Sequence, residues 1–253
     1  MQEYDDDGYI NEDYSDYLDS DDYYESDDYN GAEVAETMPE YRAWKARRQR
    51  EAEGEPSLEE FFVWWTRLRR GEVDAFREML DAGAAEAEVQ AFLEEHPALL
   101  VQTLRGGHGR WCIPQQRLGS EHVTDFLIAE KSSIGFEWTA VELESPTQRL
   151  TTKAGDLSAV LNHAIRQITD WRNWLSYNRN YATRPRDKSG LGLIDIDPQL
   201  SGLIIIGRRR DLDGSTADRR RTIGRDLRIE IHTYDWLAEV AEEAARAMDR
   251  IRR

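Results

Sequence analysis

In the segment VTDFLIAEKSSIGFEWTAVELESP, residues 123–146, an aspartate precedes one apolar run and a Glu-Leu-Glu closes the next. At the two-residue period of a strand, Val141 and Leu143 face one way while Glu142 and Glu144 face the other. Two neighbouring strands would therefore bring Asp125, Glu142 and Glu144 to one edge of a sheet. Adjacent carboxylates repel one another unless a cation neutralises them. Their hard oxygens suit Mg²⁺ or Mn²⁺. Such a set equips a protein for phosphodiester hydrolysis, where a bound ion activates water and offsets transition-state charge. The same pattern also fits a solvated acidic face, and the carboxylates alone leave that reading open.

The elements that must position these groups follow from periodicity and punctuation. Helices are expected over 58–69 (opened by the Ser57–Glu60 capping pattern), 73–82 and 86–95, the last two stopped by Gly83 and Pro97. A basic helical segment, YRAWKARRQR, precedes them at 41–50. Strands are expected over 111–118, 122–129 and 138–144, then a long helix over 157–178. GLIIIG at 202–207 is apolar on both faces and reads as a central buried strand. A short strand over 229–232 and an amphipathic helix over 234–253 close the chain. This order predicts an α/β protein with a mixed central sheet flanked by helices.

Charge is distributed unevenly. The chain has 253 residues and a net charge of −17, but residues 1–40 hold sixteen Asp or Glu and no Lys or Arg. The rest is therefore close to neutral, and the acidic average does not argue against a polyanionic substrate. Residues 1–38 repeat Asp and Tyr with almost no aliphatic side chains, so a disordered acidic tail is expected there. One cysteine, Cys112, excludes a disulfide framework or a thiolate zinc cluster. No apolar run reaches the ~20 residues a membrane span requires, and no signal pattern opens the chain. A soluble, cytoplasmic protein without membrane contact is expected.

Four segments carry a resemblance: AEAEVQAFLEEHPALL, LGSEHVTDFLIAE, WTAVELESPTQRLTTKAGDLSAVLNHAIRQITDWRNWL, and LIIIGRRR with TYDWL. In this order they resemble the Shedu antiphage nuclease family, whose domain belongs to the PD-(D/E)XK superfamily. The resemblance spans roughly 84–240. It implies a restriction-endonuclease-like core at 84–253; residues 1–83 fall outside it and are read from their own pattern as a tail at 1–38 and a helical region at 39–83. It further implies a Mg²⁺- or Mn²⁺-dependent DNA endonuclease, a homo-oligomer (plausibly a tetramer) and a phage-derived trigger. Asp125 matches the superfamily's first acidic residue and Glu142 the acidic residue of the E-x-K element, so both would hold metal. Glu88, or secondarily Glu86, would complete the shell, and Gln167 would orient water or a phosphate oxygen.

The sequence departs from the superfamily at Glu144, where the signature lysine is expected. An anion there cannot stabilise an attacking hydroxide, although it could accept a proton or join the metal shell. Lys153 is the nearest substitute ammonium. His163 precedes Gln167 by one helical turn and could line the same cleft. Arg208, Arg209, Arg210, Arg219, Arg220 and Arg221 form the richest basic stretch and are the expected phosphate contacts. The alternative is a nuclease-fold module that binds nucleic acid or a phage component without cleaving.

Overall fold

The computed structural model describes residues 58–212 and 216–251. The acidic tail at 1–38 and the basic helical segment at 41–50 lie outside the described residues.

Seven strands form among the described residues: β1 (Gly109–Pro114), β2 (Arg117–Leu118), β3 (His122–Val123), β4 (Phe126–Ser132), β5 (Gly135–Leu143), β6 (Ser201–Ile205) and β7 (Ile229–His232). β2 and β3 pair only with each other, while the remaining five make a sheet of order β1-β4-β5-β6-β7. β1, β4 and β5 run antiparallel, as hairpin-linked strands can. β6 and β7 are parallel to β5 and need long crossovers. The sheet is thus mixed and central, as its apolar sequence requires.

Helices cover both faces. α1 (Arg70–Asp81), α2 (Glu86–Glu95) and the one-turn α3 (Pro97–Leu100) precede β1. α4 (Ala159–Thr183) joins β5 to β6, α5 (Thr216–Leu227) joins β6 to β7, and α6 (Tyr234–Ile251) ends the chain. Leu161, Ala164, Ile168, Trp171 and Leu175 of α4 pack with Trp138 and Ala140 of β5. On the opposite face Val141 and Leu143 pack with α1, α2 and α6. Strand alternation therefore turns Glu142 toward α4. Arg172 of α4 staples two separated segments by donating to the Leu200 carbonyl and to the consecutive carbonyls of Leu227 and Arg228.

The strands expected over 111–118 and 122–129 are each split in two, β1/β2 and β3/β4, with Gln115 at φ 46° in the first break, and two further expectations fail. No helix runs over 58–69; two short 3₁₀ turns, Glu59–Phe61 and Trp65–Arg67, flank extended backbone. Phe62 bridges to Trp111 and the Val63 amide donates to the Arg110 carbonyl at 2.9 Å. These bonds protect the exposed side of edge strand β1, which a helix could not do. Phe62 also meets Trp64 and Trp111 edge to face, so the aromatic spacing serves a strap. Conversely, α5 forms within the arginine-rich stretch, for which the sequence pattern predicts no helix. Its hydrophobic pattern is almost absent, with Thr216 its one buried residue.

Candidate active site

The end of β5 and the start of β4 meet because the strands are antiparallel: Val141 pairs with Phe126. Asp125, one residue before β4, thereby lies beside Glu142. Its Oδ2 accepts from the Leu143 amide at 2.7 Å. Gln90 of α2 donates to the Asp125 carbonyl at 3.4 Å. The Glu144 amide donates to the Ile205 carbonyl at 2.9 Å, which fixes the residue beside the end of β6. Gln167 reaches across from α4 and hydrogen-bonds Glu142. Glu142 and Glu144 are both buried.

Electrostatics joins these groups. Burial, then the charges of Asp125, Glu144 and Glu86, push the Glu142 carboxyl up to about 9, against the opposing hydrogen bond from Gln167. Burial, then Glu86 and Glu94, push Asp125 up to about 6, although the Leu143 amide works the other way. Burial, then Glu86 and Asp125, push Glu144 up to about 7. All three acids thus resist ionising together, as crowded carboxylates must.

Beneath them lies a residue without an expected role, although it falls within the TYDWL segment. Tyr234, the first residue of α6, is fully buried and donates its hydroxyl to the Glu144 carbonyl at 2.8 Å. Burial, followed by the charges of Glu86, Asp125, Glu144 and Glu142, holds its phenol well above the usual range. Ninety residues separate it from Glu144, so only the fold reveals this contact.

Several expected site residues stand elsewhere. The Glu88 carboxylate accepts from the Ala85 amide at 2.6 Å, capping its own helix. Of the α2 carboxylates, Glu86 acts on all three acids of the cluster and Glu94 on Asp125. Lys153 is exposed in a turn closed by bonds between Thr152 and Asp156, and its charge is not among those acting on Glu144. His163 is exposed, with Nδ1 3.3 Å from an Arg166 guanidinium nitrogen.

The arginine surface needs a larger correction. Arg208 is buried, held by Asp235, Asp81 and the Leu80 carbonyl. Arg220 is half-buried and donates to the Ile231 carbonyl at 2.7 Å. Arg209 pairs with Glu239, Arg210 with Asp211, Arg219 with Asp156 and Arg221 with Asp218. Every one of the six is engaged within the protein, Arg208 and Arg220 structurally. By contrast Arg149 and Lys153, in the loop after Glu144, are exposed and make no ion pair among the described residues.

Among the described residues, no three His, Cys, Asp or Glu side chains already converge as a metal cage. The chemistry of the donors nonetheless fits a hard divalent ion. Asp125, Glu142 and Glu144 offer only oxygen donors. Glu142 Oε2 and Gln167 Oε1 are buried with no hydrogen-bond partner. Buried polar atoms ordinarily have one; Gln90 Oε1 and Thr124 Oγ1, beside Asp125, lack one as well.

The family model described as Shedu protein SduA, C-terminal, matches residues 83–238. The chain belongs to the Shedu family. Membership implies a role in antiphage defence. The Shedu match begins just before α2 and runs into α6, so it contains every carboxylate of the cluster and Tyr234. A comparison with curated proteins gives no match. No helix of the described residues is long and apolar enough to cross a membrane.

Proposed function

We propose that this Shedu protein is a metal-dependent DNA endonuclease built on a restriction-endonuclease-like core. The observation that carries the reading is the meeting of Asp125, Glu142 and Glu144 where β4 begins and β5 ends, with Glu142 Oε2 and Gln167 Oε1 left unpartnered. Asp125 and Glu142 would hold Mg²⁺ or Mn²⁺, with Glu144 or Glu86 completing the acidic set. When bound, the ion supplies charge neutralisation and lowers the pKa of water.

The chain's own residues have separable tasks. The Leu143 amide fixes the Asp125 carboxylate, and Gln167 fixes Glu142, leaving its own Oε1 free to accept from water. Glu144 stands where the superfamily's lysine would be and cannot donate positive charge. As a carboxylate it can accept the proton released from attacking water. Tyr234 ties the Glu144 backbone to α6 and so sets where that carboxylate points. Arg149 and Lys153, the unpaired cations of the adjoining loop, are better phosphate contacts than the self-neutralised arginines of 208–221.

The test uses the purified full chain with linear and circular DNA in Mg²⁺, Mn²⁺ or EDTA. Divalent-dependent cleavage that disappears in Glu142→Ala supports the proposal. Cleavage that persists in that variant belongs to a contaminant. Uncut DNA with retained binding instead favours a non-cleaving module, the reading to which Glu144 in place of lysine lends weight.

A further inference from the structure

The segment that leaves the carboxylate site is fixed before it reaches solvent. Ser145, Pro146, Thr147 and Gln148 form a β-turn, closed by the Gln148 amide donating to the Ser145 carbonyl at 3.0 Å. Serine first and proline second suit a type I turn, and none of the four has a positive φ, as that type requires. The Ser145 hydroxyl also accepts from the Thr147 amide at 3.3 Å. Pro146 and Leu150 are buried, whereas Thr147, Gln148 and Arg149 between them are exposed. The Leu150 carbonyl accepts from the Ser158 amide at 2.9 Å, which ties the far side of the loop to the start of α4.

Gly207, just past β6, supports this turn. Its amide donates to the Ser145 carbonyl at 3.3 Å and its carbonyl accepts from the Tyr234 amide at 3.1 Å. A Cβ on Gly207 would collide with the Gln148 carbonyl oxygen, and its φ of +66° is one that residues with side chains rarely adopt. The space left by the missing side chain is thus filled by the backbone of the turn. Tyr234 also donates its hydroxyl to the Glu144 carbonyl, so Glu144 and the turn share one support.

Such a rigid mount serves no contact inside the fold, because the Gln148 and Arg149 side chains make no hydrogen bond or ion pair among the described residues. A β-turn keeps the Cα atoms of Ser145 and Gln148 within ~7 Å, and one further residue adds ~3.8 Å, so Gln148 stands within roughly 11 Å of Glu144. That reach covers about three base steps of a DNA strand. A guanidinium offsets a phosphate, whereas a neutral amide with both a donor and an acceptor matches a base edge. We propose that Gln148 is a specificity-determining residue, its amide meeting a base edge beside the phosphodiester to be cut. Arg149 seats the adjoining phosphate, and Gly207 is the positioning residue for both. The fixed backbone lowers the ordering cost of these contacts. This assignment rests on the nuclease reading.

The full chain is tested on linear DNA of mixed sequence in Mg²⁺ or Mn²⁺, with the product ends sequenced. Gln148→Ala should weaken the base preference within three positions of the cut at least about fivefold, with kcat held within about twofold. Arg149→Ala should raise KM several-fold on all sequences and lower the salt slope of binding by about 1. Gly207→Ala should change the base preference as Gln148→Ala does, a result that lost stability alone does not produce. If Gly207→Ala fails to fold, the two turn variants decide. Wild-type cutting without base preference, or a preference that survives Gln148→Ala, overturns the inference and leaves the nuclease reading standing. A folded Gly207→Ala with unaltered preference overturns the part given to Gly207. DNA left uncut by the wild type in both ions, or cut equally by Glu142→Ala, overturns the nuclease reading and the role of Gln148 with it.

Discussion

Strand β5 carries carboxylates at both ends, and the two ends behave differently. At Glu142 the acids are buried, raise one another's pKa and leave an oxygen unpartnered. At Glu137 the carboxylate is exposed, and water screens its repulsion from Glu130. Identical side chains on one strand thus differ because of what the helices cover. Desolvation turns a charge into a demand for a specific partner. In water the same charge is satisfied by any nearby cation. The arginines repeat the lesson in the opposite sense: Arg208 is locked into the fold, whereas Arg149 and Lys153 remain available.

The contrast between the ends of β5 can be broken most directly by deleting charge. Asp125→Ala or Glu142→Ala should reduce divalent-dependent DNA cleavage to background, whereas Glu137→Ala should leave it within about twofold; comparing initial rates checks this. Gln167→Ala touches the buried end less directly, through the hydrogen bond to Glu142. It should lower cleavage or metal affinity about 10–100-fold, the usual range for a group that orients a ligand. An equal rate in wild type and Gln167→Ala would show that the unpartnered amide oxygen has no role.

The arginine contrast is tested by stability. Arg208→Ala removes the partner of Asp235 and the donor to the Leu80 carbonyl, and should cost about 3 kcal/mol in urea unfolding. Arg221→Ala breaks an exposed pair with Asp218 and should change stability by less than about 0.5 kcal/mol. Equal effects would erase the distinction between locked and available guanidiniums.

The remaining contrast is the dependence on pH. Glu142 has a folded-state pKa of about 9 against an ordinary 4.5. Between those values the folded protein retains a proton that the unfolded chain has released, so stability falls as pH rises. Without divalent ions, Tm should be about 2–5 °C lower at pH 8 than at pH 6. Glu142→Gln should flatten this slope, and Mg²⁺ should raise Tm more at pH 8 than at pH 6. Calorimetry of both proteins at the two pH values measures the effect.

The parts of the molecule legible in sequence are those where one local pattern decides. α2 and β7 fall on the expected residues, 86–95 and 229–232, because Pro97 and alternating isoleucines leave little choice. The juxtaposition of Asp125 with Glu142 follows from a short hairpin, which makes the register nearly local. What escaped sequence reading depends on distant partners. Residues 58–69 have helical aromatic spacing, but β1 needed an edge partner and took their backbone instead. The choice between Glu86 and Glu88 is a matter of helix rotation and capping, which spacing alone does not settle. Arg208 looked like surface because arginine usually is. Its burial depends on Asp81, 127 residues earlier, and on Asp235.

The bond from Tyr234 to the Glu144 carbonyl has a practical consequence. A buried phenol in the field of four acids is an optical gauge in the difference spectrum against Tyr234→Phe, which removes the contributions of the other ten tyrosines and the eight tryptophans. Filling the cleft with a divalent ion would shift that band without any attached dye. A titration followed in that difference spectrum would therefore record ion occupancy directly.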